Sequence, residues 1–112
     1  MAGAEMNLER IKVLISRRQY RLSSHAEFER DVDQITVREI EEALRSTNSE
    51  IIEDYPNDPR GPSCLILGFT KRNRAIHAVC GLGDPQILVV ITVYRPDSQE
   101  WINARIRKER KT

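Results

Sequence analysis

The two histidines, His25 and His77, are the side chains best suited to proton transfer near neutral pH, because imidazole has an ordinary pKa of about 6.5. His77 lies in an apolar run between Ala75 and Val79. The side chains of these two residues are small, so they would leave room around the imidazole. His25 follows Ser24 at a predicted helix start, where the helix dipole favours the neutral imidazole that a general base requires. An acid–base role is one interpretation of both residues. In the other, each is a structural histidine hydrogen-bonded between a helix and a sheet.

Three cations, Lys71, Arg72 and Arg74, crowd a short turn between two apolar runs. Clustered cations at a hairpin tip suit contact with phosphate groups and therefore with RNA. The same charges would also keep an exposed strand edge from pairing with another chain, so the sequence leaves both roles open. A further basic run at 105–111 could steer RNA toward the protein or simply solvate a terminal helix, and we expect this tail to fray.

The two cysteines, Cys64 and Cys80, would lie opposite each other in a hairpin centred on Arg72, since both are eight positions from it. We interpret them as small apolar core residues that stay reduced, with a redox pair as the alternative. The sequence contains no Cys-x-x-Cys pair. We therefore expect neither a metal site built by this chain alone nor a cofactor.

Length and composition indicate one soluble globular domain over 1–112, because 112 residues with 39% hydrophobic and 31% charged side chains suit a single modest core. A net charge of +1 gives no global attraction to nucleic acid, so binding of polyanions must depend on where the charges lie. The apolar run Ile87–Tyr94 is far shorter than a membrane span of roughly 20 residues, and the N-terminus has no apolar signal core. We expect a cytoplasmic protein without membrane contact.

Three apolar runs, Ser63–Phe69, 74–81 and Ile87–Tyr94, are bounded by turn residues and predict a three-stranded antiparallel meander. Tyr20–Leu22 and the segment around Ile51-Ile52 and Tyr55 predict one or two further short strands. Three prolines at 56–62 exclude an interior strand there, because each removes a backbone donor.

Helical patterns precede the meander. Apolar residues spaced by three and four positions predict an amphipathic helix over 7–18. Two capping boxes, Ser24 with Glu27 and Thr36 with Glu39, predict helices that run to about positions 33 and 45. In the first of these helices, His25, Phe28 and Val32 share one face.

After the meander, Asp97 predicts the start of a short C-terminal helix with Trp101 on its buried side. The order of helices, strands and a small helix predicts an α+β fold, with the N-terminal helices packed on one face of a small antiparallel sheet. If those helices cover the face that bears His77, they could bring His25 close to it.

Six blocks of sequence carry a family resemblance. They are SHA at 24–26, the helix at 37–44, IEDYP at 52–56, LILG at 65–68, IHAV at 76–79, and ITVYRPD at 91–97 with Trp101. In this order they resemble domain-of-unknown-function family 4258, over roughly 8–101, with a basic tail at 102–112. That family looks like a relative of the BrnT and RelE/ParE toxins.

The resemblance implies a RelE-like fold and the toxin component of a type II toxin–antitoxin module, an endoribonuclease that cuts mRNA without a metal. It further implies a cognate antitoxin of the zinc-ribbon or DNA-binding type, and RNA or the ribosome as target. Such chemistry needs an acid, a base and cations. In these terms His77 or His25 would exchange protons, Arg74 and Arg95 would hold phosphate, and Tyr94 would stack on a base.

The near-neutral charge motivates a different hypothesis, a non-catalytic RelE-fold module that docks a small partner protein or RNA. Under this hypothesis Tyr94 is a core residue, and the hairpin-tip cations are solvated. Whether the chain is an enzyme and whether it forms a homodimer stay open from the sequence.

Overall fold

The computed structural model describes residues 7–84 and 86–109. The helices and strands, in chain order, are α1 (Leu8–Ser16), β1 (Tyr20–Leu22), α2 (Ser24–Val32), α3 (Val37–Arg45), β2 (Glu50–Tyr55), β3 (Ser63–Phe69), β4 (Ala75–Asp84), β5 (Ile87–Tyr94), β6 (Trp101–Ile102) and β7 (Ile106–Arg107). Strands β1 to β5 form one sheet in the order β1-β5-β4-β3-β2, antiparallel except for the β1–β5 pair. The fold is therefore α+β, as predicted, with the meander β3–β4–β5 at its centre.

Two helices form as their sequences predict. In α1 the Asn7 side chain accepts a hydrogen bond from the Arg10 N–H at 2.9 Å, and the helix buries Ile11, Leu14 and Ile15. In α3 the predicted capping box is complete. The Thr36 side chain accepts a hydrogen bond from the Glu39 backbone N–H, and the Glu39 side chain accepts one from the Thr36 backbone N–H.

Helix α2 differs from its prediction at its start, where the N-cap is Ser23 rather than Ser24. The stripe predicted from His25, Phe28 and Val32 faces solvent, with Phe28 69% and Val32 63% exposed, while Ala26 is buried.

The contacts between α2 and β5 explain this orientation. Strand β1 pairs with β5 only as far as Val90, so the exposed edge of β5 beyond that point needs other partners. Side chains on or next to α2 supply them. Ser23 Oγ donates to the Ile91 carbonyl at 2.7 Å, Glu29 accepts from the Val93 N–H at 3.1 Å, and Asp33 accepts from the Arg95 N–H at 2.9 Å.

The face of the sheet under the helices forms the main core. It includes Cys64 and Cys80, which are paired across β3 and β4 as predicted, free and fully buried. Burial raises the pKa of the Cys64 thiol to about 12, and it raises that of Cys80 as well. Gly68 allows α3 to approach β3, since a Cβ at Gly68 would lie 2.1 Å from the Ala43 carbonyl oxygen.

The opposite face, here called the second face, is covered by the C-terminal segment. This segment is a β6–β7 hairpin, so the predicted C-terminal helix is wrong. Asn103 and Ala104 adopt positive φ angles of 52° and 60°, which end any helix at that point. The predicted fraying is wrong for Arg105 and Arg107, which form ion pairs with glutamates of β2, while residues 110–112 lie outside the described part of the chain.

Candidate functional site

The cations of the β3–β4 turn and Arg95 lie around one cleft of about 570 Å³, called the cationic cleft. It opens between the start of α3 and the tip of the β3–β4 hairpin. Its complete lining is Gln34, Thr36, Arg38, Glu39, Glu42, Thr70, Lys71, Arg72, Arg74 and Arg95. The structure thus brings together four residues singled out from the sequence. It adds Arg38 of α3, a residue that no sequence pattern predicts to lie near the tip of the β3–β4 hairpin.

The hairpin tip has a well-defined turn. The Thr70 N–H donates to the Arg74 carbonyl at 2.9 Å, and the Asn73 N–H donates to the Thr70 carbonyl at 2.8 Å. Asn73 has a φ of 61°, a conformation that asparagine tolerates better than most residues. Lys71, Arg72 and Arg74 are all exposed. A fixed backbone therefore presents three cationic side chains to solvent.

Arg95 connects the end of β5 to the turn between α2 and α3. Its Nε donates to the Asp33 carbonyl at 3.2 Å, and its Nη2 donates to the Gln34 carbonyl at 3.1 Å. Nη2 also lies 3.4 Å from a carboxylate oxygen of Glu39. The Nη1 atom is buried and has no hydrogen-bond partner within the described residues. Arg95 is thus mainly a structural link between β5 and the turn from α2 to α3, at the edge of the cleft.

Two carboxylates moderate the positive charge of the cleft. Glu42 accepts a hydrogen bond from the Lys71 N–H at 3.1 Å and lies 3.6 Å from Arg38 Nε. For Glu39, a hydrogen bond from the Thr36 backbone is the main cause of a pKa below the ordinary value. Arg38 pairs with Glu42 and Arg95 pairs with Glu39. Lys71, Arg72 and Arg74 form no ion pair with a carboxylate within the described residues, so the lining keeps an excess of positive charge.

His77 lies on the second face and is fully buried. Its Nε2 is 2.6 Å from the Ala104 carbonyl oxygen, so Nε2 carries the proton, and Nδ1 accepts from the Tyr94 hydroxyl at 3.1 Å. Burial is the main cause of a lowered His77 pKa, which favours the neutral imidazole. The Trp101 ring packs edge-on at 4.5 Å between centroids. Both ring nitrogens are therefore engaged within the protein.

His25 lies elsewhere. Its side chain is 64% exposed, and its Nε2 is 3.4 Å from a carboxylate oxygen of Glu29. The expectation that helix packing could bring His25 to His77 is wrong, because the helices cover the face that bears Ile76 and Ala78. Side chains alternate along a strand, so His77 points to the opposite face.

A polar group on the second face was missed by the sequence reasoning. Arg107 donates to both carboxylate oxygens of Glu53, at 2.6 and 3.0 Å, and Tyr55 donates to the same carboxylate. The Arg107 guanidinium also lies 4.6 Å from the centre of the Trp101 ring. These contacts hold the C-terminal hairpin over His77. Because Glu53 and Arg107 are far apart in sequence, no local pattern could have revealed the pair.

The cleft presents exposed cations to solvent, whereas His77 on the second face is fully buried. Burial raises the pKa of Tyr94 to about 12, so its phenol stays protonated at neutral pH.

Within 7–84 and 86–109, no group of three or more potential metal ligands occurs. In the same part of the chain no helix is long and apolar enough to cross a membrane.

Comparison with known proteins gives one match. The family model described as Domain of unknown function (DUF4258) matches residues 22–95. This range contains α2, α3, the meander and every side chain that lines the cationic cleft. No curated protein and no solved structure was found to match the chain.

Proposed function

We propose that this chain, which belongs to the family Domain of unknown function (DUF4258), binds single-stranded RNA in the cationic cleft. The observation that carries the proposal is the convergence of Lys71, Arg72 and Arg74 with Arg38 and Arg95 around one opening. The biological setting we propose is the toxin component of a type II toxin–antitoxin module in the cytoplasm. That setting derives from the resemblance of the sequence to the RelE and BrnT toxins.

Charge and shape support RNA as the ligand. Five cations against two partnered carboxylates make the cleft electropositive, although the whole protein carries only +1. A volume of about 570 Å³ suits one or two nucleotides of a flexible strand better than a rigid duplex. Tyr94 directly precedes Arg95, but its ring lies on the second face against His77 and does not line the cleft, so the predicted base stacking on Tyr94 is not part of this proposal.

Fluorescence anisotropy with a labelled 12-nucleotide oligouridylate tests the proposal. The Lys71→Ala/Arg74→Ala double variant removes two exposed cations of the cleft. The matched control, Arg17→Ala/Lys108→Ala, removes two exposed cations outside it. We expect the cleft variant to bind roughly tenfold more weakly than the wild type, since two exposed charge contacts contribute about 1.4 kcal/mol together. An equal loss in both variants would contradict binding at the cleft.

An mRNA endoribonuclease is the second candidate function. The observation that favours it is the hydrogen bond between His77 and Tyr94, which places an imidazole and a phenol at the strand end next to Arg95. Proton exchange with RNA would require the C-terminal hairpin to uncover His77. Expression in a bacterial host tests this candidate. Transcripts that are cut by the wild type and spared by His77→Ala support it, whereas intact transcripts with both proteins refute cleavage without bearing on RNA binding.

A further inference from the structure

A second groove, of about 230 Å³, lies on the second face at the other end of β4 from the cationic cleft. Its floor is Gly81, which lies beside Val89 and, one strand further, Arg21 in the sheet register. A Cβ at Gly81 would lie 3.1 Å from Ile91 Cδ1, so the missing side chain creates the depression. Pro62 contributes a further part of the lining.

This groove, here called the Gly81 groove, is apolar inside and cationic at its rim. Val89 and Ile91 line it, and the exposed guanidinium groups of Arg21 and Arg60 stand at its edge. Arg60 pairs with Asp58, whereas no ion pair joins Arg21 to a carboxylate in the described part of the chain. A ligand that fits this arrangement has apolar groups flanked by negative charges.

The groove also reaches an edge of the sheet. Strand β1 pairs with β5 on one side only, and the described residues place no strand on its other side. A strand added to that edge would lie about 14 Å, or three strand spacings, from Gly81, so a ligand of the groove must instead cross the face of the sheet from Arg21 to Arg60. At about 230 Å³ the groove is smaller than most small-molecule sites, which begin at roughly 300 Å³. One or two side chains of a longer segment would fill it.

We propose that the Gly81 groove docks a segment of a partner protein in which one or two apolar residues are flanked by acidic residues. The apolar side chains would lie over Gly81 and against Val89, and the carboxylates would pair with Arg21 and Arg60. The identity of this partner as an antitoxin rests on the proposed function, but the docking chemistry does not. Charge disfavours the C-terminal segment of a second copy as occupant, since Arg105, Arg107 and Lys108 would meet a cationic rim.

A titration of the ¹⁵N-labelled protein, followed by NMR, tests the proposal. The probe is the peptide acetyl-Glu-Val-Glu-Val-Glu-Val-amide, and the control peptide has lysine in place of each glutamate. We expect the acidic peptide to shift the amides of Gly81, Val89 and Arg21, and the lysine peptide to shift none of them. Stronger or equal binding of the lysine peptide would overturn the proposal, as would shifts confined to the exposed apolar stripe of α2.

Two variants and one control sharpen the test. Arg21→Glu should weaken binding roughly fivefold or more, because an exposed charge pair becomes a repulsion. Gly81→Val should abolish binding by filling the floor, and its amide spectrum shows whether it remains folded. Arg17→Glu, at an exposed position outside the groove, should bind like the wild type. Unchanged binding by Arg21→Glu would refute the docking chemistry, even if Gly81→Val does not fold.

Two further measurements separate this proposal from its alternatives. Gly81→Val and the wild type should bind the 12-nucleotide RNA equally well. A loss of peptide binding at the groove can therefore be distinguished from a loss of RNA binding at the cationic cleft. Sedimentation should show the same monomer for the wild type and for Gly81→Val. A wild-type dimer that Gly81→Val dissociates would replace the partner segment with a second copy and overturn the proposal.

Discussion

Replacing His77 with leucine should make the protein less stable and remove part of its pH dependence. Leucine has a similar volume but cannot donate to the Ala104 carbonyl or accept from the Tyr94 hydroxyl. A buried polar group left without a partner costs about 1–3 kcal/mol. The Ala104 carbonyl, which faces the buried ring, loses this donor, while the partly exposed phenol can turn to water. We therefore expect the free energy of unfolding to fall by about 2 kcal/mol.

The pH dependence follows from the lowered pKa of His77 in the folded protein. As the pH falls below the ordinary value of about 6.5, the unfolded chain takes up the proton before the folded protein does. The stabilisation from His77 is therefore complete above that value. It is lost as the pH falls from there to the folded-state pKa, by at most about 1.4 kcal/mol per pH unit. The leucine variant should lack this contribution.

Urea unfolding between pH 5 and 8, followed by tryptophan fluorescence, measures both effects. Trp101 is the one tryptophan of the sequence and packs against His77, so its emission reports on the region that changes. The matched control is His25→Leu, which removes the exposed histidine and leaves His77 and its hydrogen bonds in place. If His77→Leu keeps the pH dependence of the wild type, the conclusion that His77 is buried and neutral in the folded protein is wrong.

Three further outcomes are expected. Glu42→Gln should bind the 12-nucleotide RNA roughly threefold more tightly, because it removes one negative charge from the cationic cleft. Equal affinity of the variant and the wild type in fluorescence anisotropy would show that this charge is already neutralised. Gly68→Ala should lower the free energy of unfolding by at least about 2 kcal/mol, since the Cβ of the alanine would overlap the Ala43 carbonyl. Thermal unfolding would show this loss as a lower Tm. Cys64 and Cys80 should stay unreactive toward a thiol reagent at pH 8 and react once urea unfolds the chain. Rapid labelling of the native protein would argue against their burial and raised pKa values.

The central part of the fold could be predicted from sequence because its signals are local and strong. The apolar runs of the meander are bounded by turn residues, and the capping box at Thr36 lies next to the helix that it starts. The C-terminal hairpin could not be predicted in the same way. Ile102 and Ile106 have helical spacing, but Asn103 takes a positive φ and the hairpin gains its contacts from β2 and β4.

The candidate site was predictable only in part, for a related reason. The three cations at the hairpin tip are neighbours in sequence, so their shared location was expected. Their proximity to Arg38 and Arg95 depends on how α3 packs against β3, which no local pattern contains. The environment of His77 depends on Ala104, which lies 27 residues further along the chain.

The measurement that tests RNA binding in the cationic cleft most directly is the salt dependence of the RNA affinity. For a single strand, log K falls with log salt concentration by about 0.7 for each neutralised phosphate. If Lys71 and Arg74 each contact a phosphate, their double alanine variant should show a slope shallower by about 1.4, while Arg17→Ala/Lys108→Ala keeps the wild-type slope. The same slope in the wild type and both variants would contradict the account, because the cations of the cleft would then neutralise no phosphate.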